Sequence, residues 1–232
     1  MNFRLVFHSG KILALAALFF ASSCKKDITN PLKGSDESAA ASISDSSTVA
    51  DNAYNDVFVN AFYTYSDNQL NGAASWSKDG RVSTNSVNGV NRLHLSCATY
   101  KVDTTLVTRF PVTVTVDFGT DGCTSAFDGL NRKGKIIYVF SGPLLAPGTT
   151  VSASFDHYFV NGYGLQGSCS ITNNSDQNGF SFSSQITNGI FTFPDLTNFH
   201  YSGNKTIPMS AGSNTPFDIS DDVYAITGSS SY

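Results

Sequence analysis

The sequence predicts a mainly β fold: an antiparallel β-meander sheet, curled or forming a partial barrel, with one N-terminal amphipathic helix packed on it. Three observations carry this. From Arg92 onward, apolar residues recur at every second position. Clusters of Asn, Gly, Asp and Pro separate these runs, which favours short hairpins between neighbouring strands. A four-residue apolar repeat is clear in one stretch, residues 47–65.

The elements follow in chain order. Arg4 and Lys11 precede a short apolar run over 12–20, too short to span a bilayer as a stable helix. Ala21-Ser22-Ser23 and then Cys24 give the small-residue pattern of bacterial lipoprotein processing, with Ala21 where Leu is commonest. Residues 1–23 are therefore expected to be a signal peptide, and Cys24 the lipidated N-terminus. Several acyl chains on one residue anchor firmly, whereas one does not. Residues 24–46 are polar and rich in Ser and Ala, and are expected to be a flexible tether. One domain is expected over 47–232.

In the helix, Val49, Ala53, Val57, Ala61 and Tyr65 form one row, and Ala50, Tyr54, Phe58 and Phe62 the adjacent one. Asp51, Asn52, Asn55, Asp56 and Asn60 are expected on the solvent side, with Ser46 or Ser47 as the cap. Residues 66–91 are rich in Asn, Gly and Ser, read as loop, and hold Trp76. Leu93, Leu95 and Cys97 then alternate with polar or small residues, as do Val112, Val114, Val116 and Phe118. Ile136, Tyr138 and Phe140 alternate with Ile137 and Val139, which suggests cover on both faces. Val151, Ala153, Phe155 and Phe159 share the next core face, leaving Tyr158 on the polar one. Phe180, Phe182 and Ile186 follow, then strands over 189–193 and 198–206. Turns are expected at 160–162, 173–179, 188–189 and 194–195. The face opposite the core carries rows of Ser and Thr, a solvated face or a flat polar binding face.

Charge and cysteine usage narrow the function. Removing 23 residues from 232 leaves 209; Arg4 and Lys11 go with them, so 14 basic residues become 12 against 18 acidic ones, a formal −6. An acidic chain without a basic stripe argues against nucleic acid as partner. Cys97, Cys123 and Cys169 remain in an oxidising compartment. Cys97 with Cys123 is the preferred disulfide, closing a loop across adjacent strands. Cys169 aligns with Leu165 and Ile171 and reads as a small buried hydrophobe.

No residue set assembles a recognisable catalytic constellation, and no cofactor or metal is expected. Asp117-Phe118-Gly119 matches the kinase magnesium tripeptide but lacks the Gly-rich loop and the His-Arg-Asp loop. Asp117, Asp121 and Asp128 have the wrong spacing for a calcium loop. None of His94, His157 and His200 sits beside another His or Cys in a metal-ligand pattern. Glu37 is the one glutamate, so paired-carboxylate chemistry would need aspartates alone. Asp103-Thr104-Thr105 resembles a Bacteroidota O-glycosylation acceptor, with Thr104 as the modified residue.

The ordered series "FPVTVTVDFGTDGCT", "RKGKIIYVFSG", "PGTTVSASFDHYFVNG", "SITNN", "IFTFPD" and "DDVYAITG" resembles an uncharacterised group of Bacteroidota lipoproteins. Cys24-Lys25-Lys26-Asp27 is similar to the start of many of them, and partly to a surface-export signal. The resemblance implies a lipid-anchored, β-rich outer-membrane protein without a known activity, facing the periplasm or the cell exterior. In that group a cysteine also sits just before the Asp-Phe-Gly hairpin, which supports Cys97–Cys123. Cys169 departs from the group's pattern, and its members often continue with further strands beyond the last segment. The expectation is a non-enzymatic binding or structural module, with a glycan or protein partner. A glycan would use Trp76, Tyr158, Tyr163 or Tyr201 as stacking platforms; the other alternative is an apolar ligand carried between helix and sheet.

Overall fold

The computed structural model describes residues 34–68, 70, 95–104, 110–212 and 222–232, with side chains from Ser46 onward. Helix α1 spans Gly34–Asp67. Ten strands follow: β1 (Thr99–Thr104), β2 (Val112–Asp117), β3 (Cys123–Thr124), β4 (Asn131–Phe140), β5 (Thr150–Val160), β6 (Tyr163–Asn173), β7 (Ser181–Thr192), β8 (Asn198–Ala211), β9 (Val223–Tyr224) and β10 (Thr227–Ser231). All pairings are antiparallel. The order is β1-β2-β4-β5-β6-β7-β8-β10, with β3 beside β4 and β9 beside β8, and the sheet does not close into a barrel. The expected meander with one helix on it is the observed fold.

The sheet curls around the helix. Tyr138 of β4 donates its hydroxyl to the Val57 carbonyl at 2.9 Å. The next helix residue, Phe58, packs edge-on against Phe182 of β7 at 5.8 Å. In a flat sheet β4 and β7 would stand about 14 Å apart, three strand spacings. A sheet bent around the helix brings both to one helical turn. The concave face holds Val114, Ile136, Tyr138, Ala153, Ile171, Phe182 and Ile207, all buried. The convex face carries the Ser and Thr rows, such as Ser152 opposite Ser170 and Ser170 opposite Gln185. Ile137 and Val139 are half-buried on that face.

A seam of bulges produces the bend. The register shifts in four successive ladders, between Lys133 and Lys135, Ser154 and Phe159, Gln166 and Ser168, and Ile186 and Gly189, with the extra residue on β5 near His157 and on β7 near Asn188. The φ angles are positive at Gly134 (78°), His157 (48°), Gly167 (96°) and Asn188 (52°). Bulges add twist and bend the strand that carries them, and aligned ones fold a sheet along a line. A Cβ at Gly134 would lie 2.0 Å from the His157 carbonyl oxygen, and one at Gly167 2.5 Å from that of Asn188. Neither position admits a side chain without moving backbone.

Several expectations are corrected. The helix starts at Gly34, so the expected 24–46 tether is helical over its second half. Ala39-Ala40-Ala41 are strong helix formers, and they carry the helix back past Ser46 and Ser47, which lie inside it and do not cap it. Residues 95–97 form a turn where the alternation predicted strand, and β1 follows at Thr99–Thr104; the start of the expected run, 92–94, lies outside the described residues. Asn188-Gly189 is a bulge within β7, not a turn between two strands. The His157 bulge reverses the alternation of β5, so Tyr158 is buried and Phe159 half-buried. Because the sheet wraps the helix, Asp51, Asp56 and Asn60 meet protein rather than solvent.

Candidate functional site

The hairpin from Val112 to Phe140 is structural. Phe118 turns inward and is 3% exposed. Asp117 accepts the Gly119 N–H at 2.9 Å and pairs with Lys135 at 3.3 Å. That N–H, with the lysine beside it, holds the Asp117 carboxyl below its ordinary range. Cys123 in β3 is bonded to Cys97 just before β1, tying the two strand starts together as expected. Asp128 points to Arg132 rather than to Asp117, and among the described residues no group of His, Cys, Asp or Glu gathers to hold a metal.

Two ion pairs pin the helix inside the curl. Arg132 of β4, 1% exposed, gives Nη2 to Asp56 Oδ1 at 2.5 Å and Nε to Asp56 Oδ2 at 3.0 Å. Its Nη2 also reaches Asp128 Oδ2 at 2.7 Å. Tyr158 donates its hydroxyl to Asp56 at 3.2 Å, and Asn60 its amide at 2.9 Å. Burial works against the Arg132 charge, but Asp56 and Asp128 outweigh it and raise its pKa. Burial opposes ionisation of Asp128 too, and the bonds from Arg132 and the Leu130 N–H overcome it, lowering that carboxyl. One helical turn and a half earlier, Asp51 pairs with Lys205 of β8 at 2.9 Å and accepts the Tyr201 hydroxyl. Charges this deep are retained only when paired and hydrogen-bonded.

These pins decide the fate of the proposed stacking residues. Tyr201 is buried, stacked on Tyr54 at 4.7 Å and bonded to Asp51. Tyr158 is buried against Phe155 and bonded to Asp56; burial, with Asp56 beside it, pushes its hydroxyl pKa well up. Tyr163 alone of the described three reaches the surface, half-buried against Phe191 and Phe193. Trp76, His94 and Cys24 lie outside the described residues. Thr104 ends β1, half-buried opposite Val112. Between helix and sheet, Phe58, Phe62, Phe182 and Tyr224 are in mutual ring contact, so aromatic side chains occupy the space expected for a carried ligand. Cys169 is buried against Ser184, and burial pushes its thiol up to about 11. It is the inert small hydrophobe that the spacing predicts.

The seam opens a cleft. The β5–β6 ladder runs from Ser154–Ser168 straight to Phe159–Gly164, so residues 155–158 and 165–167 face each other unpaired. Tyr54 of the helix reaches through to one of the freed carbonyls, Gln166, at 2.8 Å. A cleft of about 300 Å³ lies over this gap, lined among others by Phe155, Asp156, His157, Phe159, Gln166 and Thr192. Asp156 and His157 touch at 2.7 Å, with the His157 side chain 90% exposed. Lys133 sits 4.5 Å from the centre of the Phe159 ring and steadies one wall. Polar groups therefore converge beside two aromatic rings, in a space at the lower end of the size of small-ligand sites.

The sequence reading missed both sets. Arg132 carried a signal: it lies four residues before Ile136, in phase with the inward positions of β4. The cleft carried none, because a bulge line is a property of four strands in register. Comparison with family models, with curated proteins and with solved structures finds no match.

Proposed function

We propose that this chain is a non-enzymatic, lipid-anchored binding module of the outer membrane, and that it takes a hydroxylated ligand such as a saccharide unit in the seam cleft. The observation that carries it is the gap between β5 and β6. There Asp156, His157 and Gln166 have no partner across the β5–β6 ladder and, with Thr192, line free space. Donors and acceptors of both kinds, beside the rings of Phe155 and Phe159, match the alternating hydroxyl and C–H surface of a sugar. The anchor belongs to the same reading, through Cys24 and the signal before it.

The test is a glycan-array screen of the full chain, followed by titration calorimetry on any ligand found. Binding is expected, and Gln166→Ala is expected to weaken it at least tenfold while leaving the circular-dichroism melt in place. A silent array, or a bound glycan indifferent to both Gln166→Ala and His157→Ala, would remove the cleft from consideration.

A further inference from the structure

Leu196, at the tip of the β7–β8 turn, is 76% exposed and adopts a φ of 70°. A left-handed turn position favours Gly, Asn or Asp, and an exposed Leu there gains nothing from packing. The turn itself is well built: Leu196 N–H bonds the Phe193 carbonyl at 2.9 Å, and Asp195 caps Thr197 at 3.0 Å. The Leu is thus held outward on a firm support. Half-buried Phe193, at the base of the turn, is in ring contact with half-buried Tyr163 and Phe199, and Tyr232, 57% exposed, lies 6.1 Å from Phe199.

The helix enters the sheet at this same end. Asp51 bonds Tyr201, three residues into β8, and Ser230, one residue from the end of β10. Tyr65, fourteen residues further on, meets Phe140 at the opposite end of the sheet. The N-terminal half of helix α1 therefore projects from the end of the sheet that carries the Leu196 turn.

We infer that this tip is a membrane contact: Leu196, with its aromatic collar, inserts shallowly into the phospholipid surface that holds the Cys24 lipid. The inference rests on the lipid-anchor reading. From Asp51 back to Gly34 the helix extends about 25 Å. The ten residues from Cys24 to Gly34 can span at most about 34 Å, so the anchor reaches back level with the tip. A lone Leu is far short of the roughly 800 Å² per partner that a protein interface needs. Beside an existing anchor it needs little affinity, because tethering supplies the local concentration. Aromatic rings suit the headgroup level, and the Asp195 carboxylate, turned to Thr197, stays in the aqueous layer.

The test uses the full chain on phosphatidylethanolamine–phosphatidylglycerol vesicles. Intact mass first reports whether Cys24 is acylated, which tests the anchor by itself. If it is not, the same chain is coupled through Cys24 to a maleimide lipid, so that the tip is still examined. Trp76→Phe with Leu196→Trp places one indole at the tip, and Trp76→Phe with Ser170→Trp places one on the convex face. Brominated lipids are expected to quench the tip indole at least twofold more than the control. In the unsubstituted chain, amide exchange over 193–197 is expected to slow at least threefold on vesicles. Equal quenching at both positions together with unchanged exchange overturns the inference. So does light scattering that shows a dimer whose formation, rather than lipid, protects the tip.

Discussion

Arg132 grips both carboxylate oxygens of Asp56, at 2.5 and 3.0 Å, and so joins strand β4 to helix α1. The pair lies between a 1% exposed guanidinium and a 10% exposed carboxylate, with Asp128 completing the charge-assisted set. Removing one partner of such a pair leaves the other charge buried without compensation. Arg132→Met is expected to cost about 3–5 kcal/mol in urea unfolding. Adding Asp56→Leu should restore at least about 1 kcal/mol of this, as coupled sites do. A single variant that loses less than about 1 kcal/mol would mean that packing, not charge, holds the helix.

Asp128 gives the fold an acid dependence. Its folded pKa is below the unfolded value, so between the two the unfolded chain binds the extra proton. Its contribution is present above the ordinary carboxylate range, about 4, and is lost as pH falls through the folded pKa. The melting temperature should fall on going from pH 5 to 3, and fall less steeply in Asp128→Asn. Parallel slopes for the two proteins would assign the acid limb to other carboxylates.

The seam should be intolerant at one glycine and tolerant at another. Gly134 and Gly119 both have positive φ, 78° and 76°, but only Gly134 faces backbone, at 2.0 Å, while Gly119 has nothing within 4 Å. Gly119→Ala is expected to cost about 1 kcal/mol, the conformational term alone. Gly134→Ala should cost at least about 1 kcal/mol more, because His157 must move. Equal losses in denaturant melts would mean that the β4–β5 bulge yields freely.

The cysteines should divide by chemistry. Cys97 and Cys123 should appear as one linked peptide in unreduced digests, and Cys123→Ser should cost about 3 kcal/mol in the chain-entropy account of a 26-residue separation. Cys169, with its thiol pushed up to about 11, stays protonated at pH 8 and should resist iodoacetamide until denaturant is added. Rapid alkylation of the native protein would show that the β6–β7 region opens readily.

Much of the architecture was legible along the chain. The alternation through Val112–Asp117 and Ser181–Thr192 marks strands whichever partners they find. Val160-Asn161-Gly162 makes its turn because Asn161 and Gly162 accept the φ values of 50° and 85° that a tight hairpin requires. The aromatic stripe of the helix likewise forecast its burial against the sheet. The errors cluster where the sheet bends. Tyr158 and Phe159 exchange faces because one bulged residue shifts the period by one, and Asn188-Gly189 supplies turn chemistry to a bulge. The cleft was invisible for the same reason.

By itself, then, the sequence determined the class of the protein: strands, hairpins, one apolar helix, one staple at Cys97 and Cys123, one inert thiol at Cys169. These depend on spacing and on residue chemistry within short windows. The tertiary structure decided how far the sheet curls, and with it whether a charged helix residue meets water or protein. Asp51 and Asp56 are polar in any window of the sequence; they face inward because bulges on β5 and β7, aligned across four ladders, fold the sheet around them and deliver Lys205 and Arg132. That alignment depends on the register of strands distant along the chain, and no local pattern encodes it.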